Sequence, residues 1–268
     1  MDATKAAAWL AANSSCDGDK LWTGMRYPAL PFALVGTTAG TGSEVTATAV
    51  LTLDRDGRKK SVNDCNCYAR IAFADPAYTR TMSRHTTLST ALDALAHAVE
   101  GYLSPSCGDV AAAFAEKAIP LITEGLQWLR EHEGMPDNAL RERLYAGSLW
   151  AGLVLNSCGT AFPHPLGYIL TEDFHVDHGY ACAVFLPALA RRAEAFSPER
   201  TQTLYSLCGG RDAFFALLDA LNVKDVRMTE EQVAAYQTRW PGLKNFARTP
   251  GGFTPEEAAE LFRELFVK

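Results

Sequence analysis

The sequence predicts a short α/β segment followed by an all-helical domain. Two observations carry this. Apolar runs of strand length, closed by small residues or turn residues, fall within the first 80 positions. Beyond residue 80, long alanine- and leucine-rich stretches take over. No internal repeat or low-complexity linker interrupts the change.

Element by element, residues 2–13 (DATKAAAWLAAN) read as an alanine-rich helix. PFALVGTT (31–38) is an apolar run ending in small residues, which suits a buried strand feeding a tight turn. TATAVLTLD (46–54) has strand composition, with its turn at Asp54–Gly57, and YARIAFADP (68–76) reads as another short buried strand closed by Asp-Pro. Helices are expected over 86–103, 109–131, 138–157, 179–195, 212–221 and 254–266. The last opens on Thr254-Pro-Glu-Glu257, a capping box with proline at the first helical position.

Composition narrows the function classes. A chain with 48% hydrophobic and 21% charged residues can bury a core and is not disordered. With 25 basic and 31 acidic residues the net charge is −6, which offers no attraction to nucleic acid or an anionic membrane. No apolar run is long enough to span a bilayer, and no signal peptide is legible. The seven cysteines are scattered, without a C-x-x-C pair, and read as reduced thiols of a cytoplasmic protein. Cys65-Asn-Cys67 lacks the second pair that a metal site would need.

The chemistry starts in DALAHAVE (93–100). On a helical wheel Leu88, Leu92, Leu95 and Val99 form one stripe, and Asp93, His97 and Glu100 lie nearly opposite. Alanines fill the positions between, so other backbones can pack close all round. An ionised aspartate there is costly unless it is paired or binds a metal. Two readings stand: a buried Asp–His pair that fixes packing, or two metal ligands at i and i+4. His164 and His178 lie near helix starts further on. One Asp with three His makes an oxygen–nitrogen set suited to Fe²⁺ or Zn²⁺. His85, His132 and His175 are expected at the surface.

GTTAGTGSEVT (36–46) follows an apolar strand. Its glycines allow tight turns and its amides and hydroxyls can donate to phosphate or ribose oxygens. It is neither a Walker loop nor a G-x-G-x-x-G fingerprint, and a purely structural turn fits it equally.

Together TTAGTGSEVT (37–46), FADP (73–76), DALAHAVEGYLS (93–104), HPLGYILT (164–171) and HG (178–179) resemble the iron-containing (group III) alcohol dehydrogenases. The resemblance runs from residue 2 to the C-terminus. It implies a dehydroquinate synthase-like architecture: residues 1–80 as part of a dinucleotide-binding α/β domain, and 81–268 as an all-helical metal-binding domain. It implies Asp93, His97, His164 and His178 as metal ligands, and Thr37, Thr38, Thr41, Thr46 and Lys59 as cofactor contacts. Fe²⁺ or Zn²⁺ would act as a Lewis acid on a small alcohol or aldehyde, with hydride exchanged with NAD or NADP. A homodimer is the family habit.

The sequence departs from the family in two places. Many members carry a histidine four residues after the third ligand, where this chain has Tyr168. A proton relay through Tyr168 and a packing role are both open. The family's glycine-rich GGGS turn for the pyrophosphate is absent, whereas Asp2 and Lys5 match the residues that trail it. The resemblance thus implies an N-terminally truncated chain whose sheet exposes apolar edges. The alternative function is a metal-binding helical module without redox activity. A dehydroquinate synthase-type lyase is disfavoured by TTAGTGSE.

Overall fold

A computed structural model describes residues 1–15, 18–22, 26–53, 57–223 and 225–267. Cys16 and most of the expected Asp54–Gly57 turn lie outside them. The N-terminal part holds helix α1 (Asp2–Ala12) and strands β1 (Ala33–Val35), β2 (Thr48–Thr52), β3 (Lys59–Asn63) and β4 (Ile71–Phe73). β1 pairs in parallel with β4, Ala33 opposite Ile71 and Val35 opposite Phe73. β2 pairs antiparallel with β3, from Thr48–Asn63 to Thr52–Lys59. β1, β2 and β4 fall inside the three predicted runs. β3 does not: KKSVN is polar, and only Val62 is buried, so the strand comes from pairing with β2 rather than from its own pattern.

α1 packs on β2. Ala6 and Trp9 join Leu21, Ala49, Val62 and Cys67 in a small apolar cluster. Lys5 is fully buried there. Its Nζ donates to the carbonyls of Ser43 (2.7 Å), Thr46 (3.0 Å) and Thr48 (2.6 Å). Asp2 accepts from Ser43 Oγ at 2.6 Å and from the Val50 amide at 2.8 Å. These two residues therefore clamp the segment that runs from the glycine–threonine loop into β2. The strands of the other sheet are not the buried ones expected: only Leu34 is buried, and Val35, Ile71 and Phe73 are exposed, because β1 and β4 pair only with each other among the described residues.

The remainder is helical: α2 (Arg84–Leu103), α3 (Asp109–Glu131), α4 (Asn138–Cys158), α5 (Pro163–Phe174), α6 (His178–Ala183), α7 (Leu186–Phe196), α8 (Pro198–Leu207), α9 (Arg211–Ala220), α10 (Glu230–Gln237), α11 (Lys244–Ala247) and α12 (Pro255–Phe266). α2 is the central rod, with α3, α4 and α6 packed against it. Ser83 Oγ caps its start by accepting from the Thr86 amide at 3.1 Å. Every residue from Ala91 to Leu103 is buried, because the alanines let neighbours approach on all sides. Both halves of the Thr254 capping box form, Thr254 N–H to Glu257 and Glu257 N–H to Thr254.

The helix expected over 179–195 is two helices. Pro187 has no N–H to bond back one turn to Ala183, so α6 ends there and α7 starts afresh with the proline at its second position. α8, α10 and α11 were not anticipated at all.

Candidate metal centre

Three helices deliver the polar groups. α2 carries Asp93, His97 and Glu100 on one side. α5 opens at Pro163 and presents His164 from its second position, and α6 opens on His178. The start of α6 lies directly on α2: a Cβ on Gly179 would stand 1.7 Å from the Ser89 carbonyl oxygen. Only glycine permits that approach, and it brings His178 beside Asp93. The glycine–threonine loop covers α4 nearby. Gly42 has φ 57°, and a side chain on it would meet Gly152 Cα at 2.6 Å.

Asp93 Oδ1 is the focus. It lies 3.6 Å from His164 Nε2, 3.8 Å from His178 Nε2 and 3.8 Å from His97 Nε2. These gaps are too long for hydrogen bonds. They match the spacing of two donors on one tetrahedral ion, about 3.3–3.8 Å for bonds of roughly 2.0–2.3 Å. Asp93 Oδ1 and His164 Nε2 are buried and have no hydrogen-bond partner, nor does His97 Nδ1. Unpaired buried atoms of this kind are costly, and a cation between them would satisfy both the carboxylate and the imidazole. The residues thus fit a divalent metal. The fit is best for Asp93, His164 and His178, which with Cys182 Sγ offer four donor atoms all within 4.8 Å of one another. His97 reaches Asp93 but is not in that mutually close set.

Glu100 fixes the orientation of His164. Its Oε1 lies 2.5 Å from His164 Nδ1, and its Oε2 accepts from the Ala161 amide at 2.8 Å. With Nδ1–H donating to Glu100, His164 turns Nε2 toward Asp93, the carboxylate–histidine arrangement that orients metal ligands. Burial raises the Glu100 carboxyl, and contact with His164 opposes this.

The site's electrostatics treat its imidazoles differently. Burial pushes Asp93 up, yet His97, His164 and His178 together outweigh it and hold its carboxyl well below the usual range. Burial lowers His97 to about 4 and His178 to about 3, despite Asp93. For His164 burial is overcome by Cys182, Glu100 and Asp93, which raise it. The Cys182 thiol is pushed up to about 11 by burial, with His164 opposing.

Tyr168 and Lys59 sit at the edge of this cluster. Tyr168 stacks on His178, with ring centroids 5.4 Å apart and planes at 17°, and Lys59 Nζ stands 5.7 Å from the centroid of the tyrosine ring. α5 sets this up by spacing: His164, Tyr168 and Glu172 follow one another at i, i+4 and i+8 on one face. Glu172 accepts from the Lys59 amide at 2.8 Å and pairs with Arg239, which pins β3 to the helical part. Burial raises the Tyr168 phenol.

Of the threonines, Thr37 and Thr41 are exposed and Thr38 is half-buried. Thr46 is buried, and its hydroxyl is used internally, toward Ser43 O and Lys5 Nζ, both at 3.4 Å. His85, His132 and His175 are exposed, as expected. Two site residues escaped the sequence reading. Glu100 was placed on the right face without a role. Cys182 was counted among inert thiols, although it lies four residues after His178 and so on the same helical face.

A buried oxygen–nitrogen donor cluster inside a helical bundle, beside a glycine–threonine loop on a small α/β part, is an arrangement that could hold a divalent ion. The chain belongs to the iron-containing alcohol dehydrogenase family. Residues 1–76 match the family model for iron-containing alcohol dehydrogenase, and 87–236 match the C-terminal model of the same family. It is 33% identical over 265 residues to long-chain-alcohol dehydrogenase 1 of Geobacillus thermodenitrificans, covering 97% of this chain and 64% of that protein. It thus spans less than two thirds of that relative's length. The crystal structure of an iron-containing alcohol dehydrogenase from Thermotoga maritima superposes with TM-score 0.89 at 33% identity, over 99% of this chain and 72% of the other. Sulfoacetaldehyde reductase from Bifidobacterium kashiwanohense, solved in complex with NAD⁺, gives TM-score 0.86 at 28% identity, over 99% and 73%. Among the described residues no helix is long and apolar enough to cross a membrane.

Proposed function

We propose that this chain carries the metal centre and part of the nucleotide domain of an alcohol dehydrogenase that exchanges hydride between a small alcohol or aldehyde and NAD(P). One observation supports it above the rest: buried, unpartnered Asp93 Oδ1 and His164 Nε2 face each other at 3.6 Å, with His164 held from behind by Glu100. The relatives' names point the same way.

In this reading residues 1–80 belong to the dinucleotide-binding domain and 81–268 form the metal-binding domain. Asp93, His97, His164 and His178 hold Fe²⁺ or Zn²⁺. Bound there, the ion supplies Lewis acidity toward a substrate oxygen. Glu100 accepts from the His164 Nδ1–H, which orients the ring and makes Nε2 the more basic, ligating atom. Thr37, Thr38 and Thr41 offer hydroxyls and backbone amides to the cofactor, and Thr46 shapes the loop from within. Tyr168 Oη holds a proton at the mouth of the site, and the Lys59 ammonium lies over its ring. Burial of the donors excludes water from the reacting face. The protein is placed in the cytoplasm as a homodimer.

The test is NADH oxidation with a short aldehyde, using chelator-stripped protein reloaded with Fe²⁺ or Zn²⁺. Activity should return with metal. Stoichiometric metal with neither NADH binding nor turnover would instead identify a metal-binding helical module.

A further inference from the structure

We infer that Cys107 and Cys158 form an oxidation site, a dithiol that a hydroperoxide converts to a disulfide. This goes beyond the reading of the Asp93 cluster and does not depend on it.

The two cysteines are far apart in the sequence and meet at one end of α2. Cys107 stands in the turn after that helix, where its amide donates to the Ser104 carbonyl at 3.0 Å and folds the turn back. Cys158 is the last residue of α4. Gly101 of α2 lets this end of α4 come in: a Cβ there would stand 2.4 Å from Val154 Cγ1 and 3.5 Å from Cys158 Cβ. The two thiols are in side-chain hydrogen-bond contact. Cys107 is buried, but it sits between exposed Ser106 and Gly108, so a small oxidant has a short path to it.

A pair of packed thiols needs no charge beside it, yet this pair has two guanidinium groups. Arg200 donates to the Cys107 carbonyl at 2.7 Å and to the Tyr102 carbonyl at 3.0 Å, which pins it over the turn, and it also hydrogen-bonds the Cys107 sulfur. Arg248 covers the other side: a Cβ on Gly159, next to Cys158, would stand 2.4 Å from its Nη1. Glu116 is the opposing charge. The hydrogen bond from Cys158, with help from Arg200, lowers the Cys107 thiol against burial, and the same hydrogen bond raises Cys158. Cys107 is therefore the nucleophile and Cys158 the resolving thiol.

With hydrogen peroxide, the Cys107 thiolate attacks one oxygen and the O–O bond breaks. Cys107 becomes a sulfenic acid, and the departing hydroxide takes up a proton as water. The Cys158 sulfur then attacks the Cys107 sulfur, the S–O bond breaks, and a second water leaves with the Cys158 thiol proton. The two thiols lose two electrons and the peroxide gains them. The bridge fastens the α2–α3 turn to the end of α4, just ahead of Ala161, whose amide donates to Glu100.

The full chain, reduced and then freed of reductant, is treated with a small molar excess of hydrogen peroxide, denatured, titrated for thiols and mapped by peptide mass. Thiols should fall from seven to five, with the Cys107 and Cys158 peptides joined, and dithiothreitol should restore all seven. Cys158→Ser should leave a Cys107 sulfenic acid that dimedone captures. Cys208→Ser, whose thiol contacts Thr123 instead, should still form the bridge. Seven surviving thiols in the unaltered protein overturn the inference, whether or not the variants fold. So do thiols lost without a Cys107–Cys158 peptide, or a disulfide mapped elsewhere, such as Cys65 to Cys67. None of these outcomes bears on metal binding, so the two readings fail separately.

Discussion

Glu100→Gln removes one charge and almost no volume, so it isolates what the carboxylate does. Glu100 is fully buried and accepts twice, from His164 Nδ1 at 2.5 Å and from the Ala161 amide at 2.8 Å. A glutamine has one carbonyl oxygen to offer in place of two carboxylate oxygens. If that oxygen serves His164, the amide NH₂ faces the Ala161 N–H, and a buried donor is left unpaired at a cost of about 1–3 kcal/mol. If it serves Ala161, the NH₂ donates to His164 Nδ1. The imidazole proton then moves to Nε2, the atom aimed at Asp93, and that nitrogen can no longer ligate. Either arrangement weakens the site. Loss of an orienting partner of this kind lowers metal affinity by about 10–100-fold, equivalent to roughly 1.4–2.7 kcal/mol. Zinc competition against a chromophoric chelator measures it directly. The variant's Kd should rise within that range while its circular dichroism stays unchanged. An unaltered Kd would refute the reasoning, since it would mean that the tautomer of His164 is set by something other than Glu100.

Three further outcomes follow from the same geometry. Metal-free protein should lose stability as pH falls below 6.5: His97 and His178 titrate at 6.5 when unfolded but near 4 and 3 when buried, so the unfolded chain binds more protons in that window. The slope is about 1 kcal/mol per pH unit for His97 and less for His178, whose side chain is 28% exposed; urea melts from pH 7 to 4.5 check it, and a flat profile counts against burial of neutral imidazoles. Gly179→Ala should cost about 3 kcal/mol or more, because its Cβ would overlap the Ser89 carbonyl, and thermal melting reads this. Tyr168→Phe should leave the melting temperature unchanged while lowering kcat by roughly 10²–10⁴-fold if the phenol relays a proton; an unchanged kcat assigns Tyr168 to packing on His178.

What the sequence disclosed was what local rules control. The capping box at Thr254 and the alanine-rich rod of α2 are written in short-range patterns, and both formed where expected. The approach of His164 and His178 to Asp93 is suggested by their places at helix starts and made specific by the family resemblance, because it depends on how α5 and α6 dock on α2. Elsewhere tertiary context decided. β3 is a polar strand that exists because β2 pairs with it. α8 is too weakly amphipathic to stand out from its flanks, as Thr201, Leu204 and Tyr205 alone are buried. α10 does carry a local signature, the Thr229–Gln232 capping box. Cys182 stayed hidden for a related reason. Its closeness to the site follows from the i, i+4 spacing from His178 along α6 (His178–Ala183).

The central claim is that the buried Asp93 cluster is a metal centre and not a packing pair. Crystals grown without chelator and loaded with Zn²⁺ or Fe²⁺ allow an anomalous-difference map at the metal's absorption edge. The account predicts one peak per chain, within bonding distance of Asp93 Oδ1, His164 Nε2 and His178. A map with no peak there, and with the Asp93 carboxylate hydrogen-bonded to His97 or His164 instead, would contradict it.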